Sequence, residues 1–420
     1  MKKLLGLLAL AALLPVSANA EVLQNVNLKG DIQTIASDVR HNGDGTYTRG
    51  TSARVLAGLS ADLVEDVTAN LMFQYANIWG SDDSIGKTTE DYWKDVRLVE
   101  ANVVLHNLFC CLEATVGRQF YGDEDSAVMY IGPNHYNAEF NGYVNSVDGA
   151  KITYSDDVKS FTAIAGRINT LAAVGISATD LIDGVHGGGS YGLDSYDFFG
   201  ADFRANLSDT LNAQVYGYDL RHALPLLDPD SHAGVYGAKL RLDTPVRLAV
   251  EYARNFGGKR LVKEHDATGH MVKVDAATDL EKVTVRGTFY YANANFFALG
   301  NYTPGLLIGH AVGGRINNYT SLNGGITSTD GVALFNLGFD VKPAEKWTVS
   351  LDGYSFQDHR MKHSSTWEAD LTAKYAHNEY VELFAGVGYA KYSGADDIAF
   401  DKAALKDDNV KSQLGMLIKF

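Results

Sequence analysis

Residues 409–420 read NVKSQLGMLIKF, and every second side chain from Val410 to Phe420 is apolar or small. Because successive side chains of a β-strand point to opposite faces, this run predicts an amphipathic strand that ends on an aromatic residue. The same alternation recurs most clearly in residues 55–63, 67–75, 246–252, 283–291 and 381–389. The chain is therefore predicted to form a sheet of many similar strands.

The first twenty residues have the pattern of a secretory signal peptide. Lys2 and Lys3 give a positive start, residues 4–14 form an apolar core, and residues 18–20 give a small-x-small cleavage site. We predict a signal peptide at 1–20 and a single domain at 21–420. No later run has the roughly 18 apolar residues of a spanning helix. An exported chain with this alternation fits a closed sheet, which pairs every backbone polar group within a membrane.

Eighteen alternating segments begin near residues 24, 52, 66, 95, 111, 146, 158, 196, 210, 233, 245, 282, 295, 331, 346, 366, 379 and 409. The connections between them alternate between short and long. Short ones fall at 65–66, 106–110, 156–157, 208–209, 244–245, 293–295, 342–345 and 377–378, and long ones near 38–51, 80–94, 121–145, 170–195, 221–232, 257–281, 301–330, 358–365 and 392–408. An even-numbered barrel with short periplasmic turns and long external loops requires this order. The predicted fold is all-β, a transmembrane antiparallel β-barrel of about 18 strands in the outer membrane of a Gram-negative-type bacterium.

Aromatic residues stand where the two lipid interfaces of such a barrel are expected. In the lipid-facing phase, the periplasmic strand ends carry Trp347, Tyr375 and Phe420, and the external strand ends carry Tyr75, Tyr252, Trp367 and Tyr389.

Three short stretches resemble the alginate-export family of outer-membrane channels. Residues 117–123 read GRQFYGD, residues 131–134 read IGPN and residues 147–150 read VDGA. They are similar to the Gly-Arg-Gln strand end, the Ile-Gly-Pro-type loop and the downstream Asp-Gly strand of that family. The resemblance implies an eighteen-stranded diffusion channel or exporter, with Gly117, Arg118 and Gln119 as the family motif. An exporter of an anionic polymer should have a mainly basic conduit, which this sequence does not obviously provide.

Charged residues in the phase opposite to lipid are predicted to line a pore. Eleven basic side chains are placed in the lumen, and those on predicted strands eight to twelve are Arg204, Lys239, Arg241, Arg247 and Arg286. Eleven acidic side chains share the lumen, and those on predicted strands fifteen to seventeen are Asp352, Glu368, Asp370 and Glu382. This separation predicts a basic wall and an acidic wall, whose field would orient hydrophilic solutes. The alternative is that lumen charges pair with their neighbours and fill space.

The chain is acidic, with a formal net charge of −15, or about −17 without Lys2 and Lys3. This charge argues against nucleic acid as a partner. Acidic residues cluster in the long loops, at 82–91, 123–125 and 396–408. Because a negative mouth concentrates cations within about 8 Å, we predict a weak preference for cations. Clustered carboxylates suit calcium, and the sequence leaves open whether these loops bind divalent cations, but no cluster has the spacing of an EF-hand and no specific metal site is predicted. No cofactor is predicted.

Other functional classes find less support in the sequence. A hydrolase needs a nucleophile and a base within reach, yet ten of the twelve histidines fall in or beside predicted external loops, and no Gly-x-Ser-x-Gly or His-Glu-x-x-His motif occurs. An energy-coupled receptor needs a plug domain, whereas the predicted strands begin shortly after the cleavage site. A purely structural role would need loops that fill the lumen.

The sequence thus predicts a porin-like, non-enzymatic channel for passive diffusion of small hydrophilic solutes. The alternatives are an alginate-type polysaccharide exporter and, with less support, an outer-membrane hydrolase. The expected partners are outer-membrane lipid, the solutes, and the barrel-assembly machinery, which would read the terminal strand ending in Phe420.

Overall fold

A computed structural model of the protein describes residues 24–41, 46–79, 96–109, 111–124, 126–136, 144, 146–168, 196–222, 232–257, 268–293, 296, 298–300, 302, 304–307, 332–358, 366–392 and 407–420. The predicted signal peptide at 1–20 lies outside these residues. Among them, no helix has the length and apolar character needed to cross a bilayer.

Eighteen strands form one antiparallel sheet. They are β1 (Gln24–His41), β2 (Thr46–Val64), β3 (Val67–Trp79), β4 (Arg97–Leu108), β5 (Leu112–Gln119), β8 (Val147–Ser155), β9 (Lys159–Ile168), β10 (Tyr196–Ser208), β11 (Leu211–His222), β12 (His232–Asp243), β13 (Val246–Gly257), β14 (His270–Leu280), β15 (Val283–Ala292), β16 (Val332–Ala344), β17 (Trp347–Asp358), β18 (Thr366–Ala376), β19 (Val381–Tyr392) and β20 (Asp407–Lys419). Two short strands, β6 (Tyr121–Gly122) and β7 (Tyr130–Ile131), pair separately.

The sheet closes on itself because β1 pairs with β20, from Asp31 opposite Lys419 to His41 opposite Asn409. At the end of this seam, Gly30 and Phe420 exchange two backbone hydrogen bonds of 2.8 and 3.1 Å. Closure leaves no unpaired strand edge. The prediction of a closed, eighteen-stranded antiparallel barrel is confirmed.

The outer face of the barrel is apolar, as the alternation predicts. In β20, Leu414 is 63% exposed, whereas Lys411 and Gln413 on the opposite face are 0% and 8% exposed. Aromatic pairs mark both rims of this outer face. Trp347 stacks on Tyr375 with 4.9 Å between ring centroids at the end with short turns, and Trp367 lies 5.2 Å from Tyr389 at the end with long loops. We call these the turn end and the loop end.

The strand count is right, but one predicted strand is wrong and one real strand was missed. β14 (His270–Leu280) lies in what was predicted to be the long loop 257–281, and the strand predicted to begin near residue 295 is absent from the described residues 296, 298–300, 302 and 304–307. The corresponding turn is therefore at 281–282, between β14 and β15, and not at 293–295. Phe296 and Leu299 are apolar because they pack inside the barrel, where both are buried.

The first two strands are longer than predicted. β1 continues to His41 and β2 begins at Thr46, so residues 38–41 and 46–51 of the expected loop 38–51 belong to strands. The two strands pair without interruption from Asn27 opposite Ser60 to His41 opposite Thr46. Polar residues such as Thr48 and Arg49 resemble loop composition, yet they belong to a strand that extends past the apolar band.

Candidate functional site in the barrel lumen

Two segments leave the wall at the loop end and enter the lumen. The first inner segment comprises the described residues 121–124 and 126–136 and follows β5. The second comprises the described residues 296, 298–300, 302 and 304–307 and follows β15. Their apolar side chains are buried, and include Ala127, Val128, Met129, Ile131, Phe296, Ala298, Leu299 and Leu307. The loop predicted to be external at 121–145 therefore folds into the lumen over its described residues 121–124 and 126–136.

The two inner segments are joined backbone to backbone. Met129 and Leu299 form a parallel β-bridge. The Tyr130 N–H donates to the Leu299 carbonyl at 2.8 Å, and the Leu299 N–H donates to the Val128 carbonyl at 2.9 Å. Because buried backbone groups need partners, each segment satisfies the other away from the wall.

The first inner segment crosses the lumen from one wall to the other. Near its start, the Asp123 carboxylate accepts a 2.9 Å hydrogen bond from Arg204 on β10. At its end, the Tyr136 ring packs edge-on against Phe384 of β19, with 5.3 Å between centroids. Eight barrel strands separate β10 from β19 in either direction around the ring. The segment is thus held at two opposite points of the wall.

A cluster of charges holds the last residues of this crossing to β1 and β2. Arg54, which is fully buried, donates to the Asn134 carbonyl at 2.6 Å and to Asp31 at 3.1 Å. His135 lies between two carboxylates, 2.8 Å from Glu124 and 3.5 Å from Asp31. Burial lowers the pKa of His135, but the bonds to Asp31 and Glu124 outweigh burial and raise that pKa above its usual value.

The second inner segment is held by two acidic residues of β18. The Leu306 N–H donates to Glu368 at 2.7 Å and to Asp370 at 2.9 Å, and the Leu307 N–H donates to Glu368 at 2.6 Å. Gly305 lies just before them with φ of +71°, and a Cβ there would stand 2.9 Å from a Glu368 oxygen. Glycine therefore permits both the turn and the close approach to the carboxylate.

The basic residues predicted to line a pore mostly contact carboxylates. Arg204 donates to Asp202 as well as Asp123, each at 2.9 Å. The Arg241 guanidinium lies 3.0 Å from the Asp243 carboxylate. Arg247 donates two hydrogen bonds, of 2.5 and 3.0 Å, to the Asp279 carboxylate. Lys239 lies opposite Glu251 in the β12–β13 register.

The expected separation into a basic wall and an acidic wall is wrong at Arg286. This residue lies on β15, which is the thirteenth barrel strand and not the twelfth because β14 precedes it. Its guanidinium donates to Asp352 at 2.6 Å and to Asp340 at 3.0 Å. Among the remaining acidic residues, Glu368 and Asp370 hold the second inner segment, and Glu382 lies 3.9 Å from Lys374. The charge of Arg286 is therefore balanced locally by carboxylates, whereas Glu368 and Asp370 bind backbone N–H groups.

The Gly117-Arg118-Gln119 motif lies where the chain turns from the wall into the lumen. Gly117 has φ of +123°, and a Cβ there would meet the Ala101 carbonyl oxygen at 2.2 Å. Arg118 makes two 2.6 Å hydrogen bonds to Asp148, its direct neighbour on β8. Gln119 is buried among backbone carbonyls. The motif shapes the wall at the base of the first inner segment.

Two cavities lie between the inner segments and the wall. One, of about 320 Å³, is mostly polar and is lined by residues including Asp123, Lys151, Thr162, Asp202, Arg204 and Tyr218. The other, of about 300 Å³, lies beside both segments and is lined by residues including His135, Tyr136, Leu306, Asp352, Asp370 and Lys374. Both are large enough for small polar molecules.

The sequence assigned several of these residues differently. Asp123 and Glu124 were placed in an acidic external mouth and His135 in an external loop, yet all three make contacts inside the barrel. The acidic clusters at 82–91 and 396–401 lie outside the described residues. Within the described part of the chain, no group of three or more metal-ligating side chains occurs.

The fold and the lumen define a class, namely the large antiparallel β-barrel of the outer-membrane type with inward-folded loops. No family model matches the chain, and no curated protein matches it. It is similar in fold to solved structures from Pseudomonas aeruginosa. The outer membrane protein OprD is 12% identical, with 96% of each chain covered and a TM-score of 0.59. OpdQ is 10% identical over 96% of this chain and 99% of that chain, with a TM-score of 0.60.

OccK5 (OpdH) is a further structural neighbour, 13% identical over 94% of this chain and 98% of that chain, with a TM-score of 0.58. Such low identities establish a shared fold and nothing finer. The resemblance to the alginate-export family finds no support in these comparisons.

Proposed function

We propose that this protein is a porin-like channel of the outer membrane, through which small hydrophilic solutes diffuse passively. The observation that carries the proposal is a charged, polar lumen narrowed by two wall-anchored segments, with polar cavities of about 300 Å³ beside them. Lumen charges that pair locally leave a hydrated path without a single tight site. The apolar outer face and its aromatic rims support placement in the outer membrane.

Arg204, Lys239, Arg241, Arg247, Arg286, Asp352, Glu368, Asp370 and Glu382 belong to this proposal as residues beside the path. Their contacts support it in different ways. Arg204, Glu368 and Asp370 bind the inner segments, and so would set the width of the path. The arginines of the wall, each paired with a carboxylate, would set the local electrostatic field along the path.

The test is reconstitution of the full chain in planar bilayers and in liposomes. We expect discrete conductance steps in salt, a weak cation preference, and swelling of liposomes in neutral sugars that slows as sugar size rises. Absence of both conductance and swelling from folded, inserted protein would refute the proposal.

Current measurements in the same planar bilayers distinguish passive diffusion from polysaccharide export. A moving polyuronate needs a continuous basic track, whereas the arginines of this lumen contact carboxylates. We therefore expect polyuronate added at micromolar concentration to the turn end to leave the current unchanged. Current block at that concentration would favour an exporter.

A further inference from the structure

Charged side chains form a row in two parts on the outer face at the loop end. Arg167 of β9 is opposite Asp197 of β10, Asp197 is opposite Arg221 of β11, and Arg221 is opposite His232 of β12. All four share the phase of exposed, outward-facing residues on their strands. Arg254 of β13 and His270 of β14 form the second part, a pair of outward-facing direct neighbours that lies closer to the turn end, because Arg254 is opposite Tyr236 and not His232. We call the basic members the outer basic row: Arg167, Arg221, His232, Arg254 and His270.

The carboxylates along this row are fewer than its cations. Asp197 lies 2.8 Å from Arg167, and Asp219 is shared between Arg221 at 2.7 Å and His232 at 3.1 Å. Arg254 is exposed and has no ion-pair partner among the residues that the structure describes. In sequence, the chain continues past Arg254 with further basic residues in the run GGKRLVK at 257–263. This stretch is basic in a protein whose other long loops carry its acidic clusters.

Aromatic rings lie beside both parts of the row. The Arg221 guanidinium stands 5.4 Å from the centre of the outward-facing Phe199 ring. His232 lies 6.3 Å from Phe256, and His270 lies 6.3 Å from Tyr252 and 6.0 Å from Tyr291. Aromatic belts mark the level of lipid headgroups in membrane barrels. The outer basic row is therefore placed at headgroup level on the side of the barrel formed by β9–β14.

We propose that the outer basic row binds the phosphate groups of an outer-leaflet glycolipid. The planar guanidinium presents paired donors that match phosphate oxygens, and a headgroup-level row offers several of them to one lipid. The aromatic rings below would pack against the sugar and the first carbons of the acyl chains. The proposal rests on the outer-membrane placement of the proposed function, but not on conduction through the lumen.

The test uses the full chain, folded in a neutral detergent, and native mass spectrometry. The probes are a diphosphorylated glycolipid and the same lipid with both phosphates removed. The variant carries Arg167→Gln, Arg221→Gln and Arg254→Gln. The matched control carries Lys282→Gln, Lys342→Gln and Lys346→Gln, which removes the same charge from exposed positions at the turn end. Single-channel conductance of both variants serves as a separate measure of the pore.

We expect the row variant to bind the phosphorylated lipid about tenfold more weakly, since each basic residue near a membrane surface contributes modestly. The control variant should bind it like the wild type, and neither change should alter binding of the dephosphorylated lipid. Equal binding of the two lipids by the wild type, or equal weakening by both variants, would overturn the proposal. If the triple variant does not fold, Arg254→Gln alone provides the test, because it disturbs no described ion pair; an unchanged affinity there would also count against the row. Loss of conductance with intact lipid binding would refute the channel and leave this proposal standing.

Discussion

His135 of the first inner segment interacts with the carboxylate of Asp31 on the barrel wall. It stands between Glu124 of the same segment and Asp31 of β1, with Arg54 close by. The two carboxylates hold the pKa of this histidine above its usual value, despite burial. A group whose pKa is raised on folding stabilises the folded state below its unfolded pKa, about 6.5 for histidine, and loses that effect as pH rises through the raised pKa.

Replacing His135 by Gln should therefore destabilise the protein in a pH-dependent manner. We expect the variant to unfold at a lower temperature than the wild type at pH 5.5, and the difference to shrink above the raised pKa, where the wild-type histidine is neutral. Thermal unfolding followed by circular dichroism measures this. His377→Gln, at an exposed turn, is the control and should show no such trend. A difference independent of pH would mean that the histidine acts without its charge.

At the scale of elements, the strands of the wall were largely predictable from sequence, whereas the inner segments were not. An apolar residue at every second position faces lipid in β13 and β20, and the sequence reports this directly. The run around Phe296 has similar apolar character, but its side chains are buried inside the barrel. Sequence alternation does not distinguish lipid from a protein interior, since both are apolar, and a strand was therefore predicted there.

β14 was missed for the complementary reason. Its outward face carries Val272 and Val274, and then only small residues such as Ala276 and Thr278 towards the turn end. Its inward face carries Lys273 and Asp275. The contrast between apolar and polar positions in β14 is therefore so weak that its sequence resembles that of a loop. The contacts of Asp123, His135 and Glu368 could not be predicted either, because they depend on where the loops fold in space.

The carboxylates of β18 give a prediction about the second inner segment. Glu368→Gln with Asp370→Asn should weaken the bonds to the Leu306 and Leu307 N–H groups, each charge-assisted bond contributing about 1.5–3 kcal/mol. We expect the segment to loosen, and single-channel conductance and its noise to rise. Asp279→Asn removes an exposed wall carboxylate bonded to Arg247 and should not change the noise. An unchanged current in the double variant would show that the second inner segment does not line the conducting path.

The arginines of the wall give a second prediction at this scale. Replacing Arg204, Arg241, Arg247 and Arg286 by Gln leaves their carboxylate partners without cations, so the lumen becomes more negative. We expect a stronger cation preference, seen as a shift of the reversal potential in a salt gradient. Lys346→Gln at a turn serves as the control. Reversal potentials that did not move would place these side chains away from the conducting path.

At the scale of the whole molecule, assembly should depend on Phe420. This residue exchanges two backbone hydrogen bonds with Gly30, and its ring lies against that glycine. Deleting Phe420 should cost about 1–3 kcal/mol at the seam and lower the fraction of chains that reach the folded, heat-modifiable form in the outer membrane. Phe339→Ala removes a comparable outward-facing ring from the middle of the wall and should have a smaller effect. Normal insertion of the shortened chain would contradict this expectation.

The pairing of β1 with β20 affects the risk of aggregation before the barrel has formed. The two strands are neighbours in space but lie at opposite ends of the described chain, so the wall cannot be completed until the final strand has emerged. Until then, one edge of β1 has unpaired backbone N–H and C=O groups, which can form hydrogen bonds with another extended chain. Contacts this distant in sequence also form slowly. The risk of aggregation is therefore greatest while β1 is unpaired, and it falls once the last strand pairs with the first.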